Sequence, residues 1–134
     1  FFMYTHSVGS AFRRRHPHAV IYNEAGVPDS PEAVHWDNFL AERSGLEGAY
    51  DMGPQRIAWL SQVVTNWMGD KGFLRVLDIK LGKTVIMGDV TRCHGKVVKK
   101  VDEEGKKEVV IELVALNQRQ EVVAHGEAVV QLSD

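Results

Sequence analysis

A chain of 134 residues, 44% hydrophobic and 25% charged, is long enough to bury one good core and too short for two ordinary domains. Its formal net charge of −2 gives no general attraction for nucleic acid or an anionic bilayer, and the basic clusters, Arg13-Arg14-Arg15 and the lysines from Lys96 to Lys107, are not interleaved with aromatics. The single cysteine, Cys93, excludes an internal disulfide and a cysteine-based metal framework and suits a reducing cytoplasm, while no apolar run reaches spanning length and no signal-peptide pattern opens the chain.

Residues 1–17 read as an arm with an apolar tip, Phe1-Phe2-Met3-Tyr4, followed by the arginine triplet. His16 and His18 form a His-x-His pair, but no third ligand stands at matching spacing and no metal site is expected. His18 to Tyr22 is a short strand candidate, and Asn23 to Ala33, dense in Gly26, Pro28, Asp29, Ser30 and Pro31, is a loop. Val34 to Arg43 predicts a short helix with Phe39 and Leu40 inward, closed by Ser44-Gly45, and Leu46 to Met52 is a second loop.

From Gly53 to Met68 the apolar residues Ile57, Leu60, Val64, Trp67 and Met68 recur at helical spacing, and Ala58, Trp59 and Val63 widen the stripe until little of the circumference is polar. That pattern predicts a buried helix about 24 Å long, with Pro54 in its first turn, Asp51 or Gly53 as the cap and Gly69-Asp70 as the stop. Beyond Gly69 the period becomes alternating. Phe73 to Leu81 is one strand, with Val76, Ile79 or neighbours of matching parity expected to face the helix. Thr84 to Val101 reads as one long bent strand or two, interrupted at Gly88 and Gly95. Asp102-Glu103-Glu104-Gly105 is a hairpin turn, Val109 to Leu116 a strand, Asn117 to Gln120 a turn and Val122 to Leu132 the last strand. With no βαβ alternation, the order describes an α+β domain over residues 18–134, a long central helix wrapped by a curved antiparallel sheet.

This arrangement resembles the hotdog fold, and within it the MaoC-like family of acyl-CoA dehydratases and hydratases. Four pieces carry the resemblance: Val34-His35-Trp36-Asp37, similar to the family's His-x-Asp start of a short helix; Gly53 opening the central helix; Gly88-Asp89-Val90 with Gly95-Lys96-Val97, similar to its long strand; and Asn117-Gln118, Glu121-Val122-Val123 and Gly126-Glu127-Ala128, similar to its terminal hairpin. The string Val64 to Gly69 is also similar to small subunits of two-chain steroid side-chain hydratases. The family's catalytic signature is Asp-x-Asn-Pro-x-His. Aligned on His35, the Asp, Asn and Pro positions hold Ser30, Glu32 and Ala33, so the histidine alone matches, and Asp29 lies one residue early.

The resemblance implies reversible hydration of a 2-enoyl thioester carried by CoA or acyl carrier protein, in the cytoplasm, with no bound cofactor or metal. Such chemistry needs a base for water, an acid for the α-carbon and donors for the developing enolate oxygen. His35 and Asp29 are the candidates for the first two tasks. Backbone N–H groups at Gly53 or Gln55, in the first turn of the central helix, are the candidates for the third. The expected partner is a second hotdog chain, as homodimer or heterodimer, because one such layer leaves an edge strand open. Two rival functions remain: a non-catalytic subunit paired with an active homologue, which the losses at Ser30 and Glu32 favour, and an acyl-CoA thioesterase. A thioesterase needs a carboxylate on or near the central helix; residues 53–68 hold none, leaving Asp51 and Glu47 just before it.

Overall fold

The computed structural model describes residues 2–6, 32–103 and 105–132. Strand β1 (Phe2–His6) is followed, after residues outside that description, by a single 3-10 turn (Ala33–His35), helix α1 (Asn38–Arg43) and helix α2 (Gly53–Met68). A second 3-10 turn (Gly69–Lys71) leads into β2 (Gly72–Leu81), β3 (Val90–Glu103), β4 (Lys106–Asn117) and β5 (Val122–Leu132). The sheet order is β1-β3-β4-β5-β2, and the β3–β4, β4–β5 and β5–β2 pairs are antiparallel. One compact unit holds residues 53–83 and 91–132 with most of β1; a second holds 32–52 with 84–90. The tip of the arm thus supplies an edge strand, whereas the strand expected from His18 to Tyr22 falls outside the described residues.

In the first unit, register and burial define one apolar sheet face. Cys93, Ala115 and Ala124 stand side by side across β3, β4 and β5, and so do Val97, Ile111 and Ala128; all but half-buried Val97 are closed to solvent. The helix lies on this face. Leu60, Val63 and Val64 are its buried apolar residues, joined in the first turn by Arg56, while Ile57 and Trp67 remain 37% and 38% exposed. The expectation of a helix apolar on all sides and buried on all sides is corrected: one helix over one sheet has one covered face, and the residue about 100° round from Arg56 points outward.

Bulges set which residues face the helix. In β2 the register shifts between Leu74 and Val76, so Leu74, paired with Val130, and Leu77, paired with Ala128, share the core face although three residues apart. Ile79 joins them, paired with Gly126, and Val76 is turned out at 48% exposure. In β3 the shift falls between Val97 and Lys99; Gly95 is regularly paired with Leu113, so the expected interruption lies three residues later. Gly88, at φ 101°, belongs to the turn before β3, which makes residues 90–103 one strand and 84–89 none. The β4–β5 shift leaves Val123 over as the extra residue, and its carbonyl accepts from Gly82 N–H at 2.9 Å and from Arg56 Nη1 at 2.8 Å. Arg56 Nη1 also donates to Lys83 O at 2.9 Å, which ties the first turn of α2 to the end of β2.

Candidate active site

The second unit is organised by short polar side chains that accept from backbone N–H groups. Asp37 caps α1, its Oδ1 accepting from Phe39 N–H at 2.9 Å and Leu40 N–H at 3.2 Å. The cap starts the helix at Asn38, four residues later than the pattern predicts, and the expected inward pair is reversed: Phe39 and Leu40 are 60% and 40% exposed, and Ala41 is the buried residue. Phe39 instead carries the Arg43 guanidinium over its ring at 5.5 Å. Asn38 Oδ1 accepts from Ala49 N–H at 2.8 Å.

Two extended stretches run together in the same unit. Met87 N–H donates to Ala49 O and Asp51 N–H to Val85 O, each at 2.8 Å, and Tyr50 bridges to Ile86 between them. Asp51 closes the ladder, its Oδ1 accepting from Val85 N–H at 3.0 Å, and Asp89 Oδ2 accepts from Ile86 N–H at 3.1 Å. Asp51 is 2% exposed. A carboxylate so enclosed and engaged with backbone is a brace, which weakens it as the water-directing group of a thioesterase; Glu47 is exposed.

His35 ends the 3-10 turn and sits against this ladder. Its Nδ1 lies 3.0 Å from the Tyr50 carbonyl oxygen, its Nε2 lies 3.0 Å from Glu32 Oε2, and its ring meets the Tyr50 ring edge-on at 4.6 Å between centroids. A carbonyl oxygen only accepts, so the Nδ1 bond fixes a proton on Nδ1 and leaves Nε2 as the nitrogen that exchanges. Asp29, predicted as the carboxylate beside His35, lies outside the described residues, as does Ser30. The carboxylate that the structure brings to the imidazole is Glu32, at the position where the signature has Asn. The sequence held a usable signal: in a 3-10 turn residues i and i+3 stand one above the other, and Glu32 is three residues before His35.

In the other unit Gly53 opens α2 as expected, and Gln55 is half-buried in its first turn. A Cβ added at Gly53 would come within 2.7 Å of Leu81 Cδ1, the end of a flexible side chain. His94 and His125 stand on the sheet face turned away from α2, in line with Val114 between them. On that face Asp78, Lys80, Glu112, Val114, His125 and Glu127 line an open depression of about 340 Å³ that contains none of the predicted site residues. Among the described residues no three His, Cys, Asp or Glu side chains cluster as metal ligands, and no helix is long and apolar enough to cross a membrane.

No protein-family model matches the chain, and no curated protein matches it by sequence. Solved structures do match in fold. The (R)-hydratase of A. caviae involved in PHA biosynthesis aligns with a TM-score of 0.76 at 16% identity, over 99% of this chain and 93% of that one. The ChsH1–ChsH2 complex from Mycobacterium tuberculosis contains a chain that aligns at 0.72 and 14% identity, over 99% and 94%. The MaoC-like dehydratase from Rhodospirillum rubrum aligns at 0.71 and 16% identity, over 100% and 90%. The fold is the hotdog fold, with one central helix on a curved antiparallel sheet.

Proposed function

We propose that this chain is a hydro-lyase that reversibly adds water to a 2-enoyl thioester carried by CoA or acyl carrier protein, with His35 as its acid–base residue. The supporting observation is the 3.0 Å bond from His35 Nδ1 to the Tyr50 carbonyl oxygen, which orients the ring and dedicates Nε2 to proton exchange. The fold is shared with proteins described as a hydratase and a MaoC-like dehydratase, which directs the choice of reaction. In this reading the backbone N–H groups of Gly53 and Gln55 receive the thioester oxygen, since a helix N-terminus favours developing negative charge. The enzyme works in the cytoplasm and pairs with a second hotdog chain, identical or homologous.

A second reading makes the chain the non-catalytic partner of an active homologue. The altered signature positions Ser30, Glu32 and Ala33 favour it, as does the two-component complex among the fold's solved examples. One experiment separates the two. Hydration of crotonyl-CoA by the purified chain should fall at least ~100-fold in His35→Ala, the usual contribution of a positioned acid or base, while the unfolding midpoint stays in place. Activity that appears only with a homologous partner and survives His35→Ala assigns the chemistry to that partner.

A further inference from the structure

We propose that Glu32 is the carboxylate of the catalytic pair. The inference rests on the hydration reading above and on the geometry at His35. With Nδ1 committed to Tyr50 O, the 3.0 Å contact between Nε2 and Glu32 Oε2 needs one more proton between its two atoms. The pair is then either imidazolium facing carboxylate or imidazole facing carboxylic acid. Burial divides the labour: the His35 side chain is 12% exposed and the Glu32 side chain 71%. The imidazole is the fixed member, held by the carbonyl and by the edge of the Tyr50 ring. The carboxylate is the member that meets incoming water.

Such a pair completes hydration without an outside acid or base. The Glu32 carboxylate takes a proton from water as the water oxygen bonds to the β-carbon, and the electron pair of the double bond moves into the enolate. The His35 imidazolium gives its Nε2 proton to the α-carbon as the enolate collapses back to the thioester. Imidazole and carboxylic acid are left facing each other, and transfer of the acid proton to Nε2 restores the starting pair. One hydrogen and one hydroxyl have been added across the double bond, with no net gain or loss of protons by the protein.

The test is steady-state hydration of crotonyl-CoA by the full chain and its variants. Glu32→Gln keeps size and position but cannot take a proton, so kcat should fall by about 100-fold or more with KM little changed. Glu32→Asp should recover part of the loss, and both variants should unfold at the wild-type midpoint, because the side chain at 32 is exposed. Wild-type turnover by Glu32→Gln beside an inactive His35→Ala overturns the inference and leaves the hydration reading standing. So does a collapse in Asp29→Asn that Glu32→Gln does not share. A wild-type chain that turns over no 2-enoyl-CoA overturns the reading and the inference together.

Discussion

Leu60, Val64, Ile111, Leu113 and Val130, which fill the helix-and-sheet unit, are closed to solvent and present only carbon to one another. The groups that shape residues 32–52 and 84–90 are of another kind: Asp37, Asn38, Asp51 and Asp89, each accepting from a backbone N–H. Apolar packing is non-directional, so it fixes an element well while tolerating exchange among side chains of similar volume. A side chain bonded to buried backbone is directional and specific, because its loss leaves a donor without a partner. The candidate acid–base residue lies in the second kind of structure, where a carbonyl holds one ring nitrogen and a carboxylate the other. A ring aimed by two bonds can be set to an angle that packing alone would leave loose.

Three substitutions test this contrast, beginning with the largest effect. Gly126 in β5 is paired with Ile79 in β2, and an added Cβ there would stand 1.9 Å from the Asp78 carbonyl oxygen. Gly126→Ala must push the two strands apart, and the urea midpoint should report a loss of about 3 kcal/mol or more. A normal midpoint would show that Ile79 and Gly126 are not partners. Asp51→Ala strikes the other kind of structure, leaving the buried Val85 N–H without its acceptor; the expected cost is about 1–3 kcal/mol in the same denaturation. If that variant is as stable as wild type, the polar ladder does not hold the segment. Asp37→Ala, the smallest, removes the cap of α1 at a cost of about 1 kcal/mol, read as a lowered Tm with an unchanged sheet signal by circular dichroism.

Periodicity made α2 legible to the residue, since Pro54 after Gly53 and the glycine after Met68 mark both ends. It made β5 legible as well, from Val122 to Leu132. What it could not supply was parity, because a bulge such as the one between Leu74 and Val76 reverses the faces of a strand without leaving a residue type as its mark. Arg56 was hidden for a related reason. A cation at a buried helical position looks like surface until a partner is known, and its partners are the carbonyls of Lys83 and Val123, the second exposed by a bulge 67 residues away. At the site, His35 was legible through its resemblance and its position before a short helix. Glu32 was not, because its meeting with the ring depends on a 3-10 turn at Ala33–His35, where the pattern predicts a helix beginning at Val34.

Cys93 lies on β3 opposite Ala115, fully enclosed, and burial pushes its thiol up to about 12 from an ordinary value of 9.0. At neutral pH the folded chain therefore presents almost no thiolate, and no surface for a reagent to reach. As the sequence contains no other cysteine, alkylation reports only openings that expose this position on β3, the strand beside central β4. The labelling rate under native conditions, divided by that of the unfolded chain, is the open fraction whenever reclosing outruns the reagent. The protein thus carries a natural gauge of its own breathing, set on the apolar face of the sheet and needing no engineered probe.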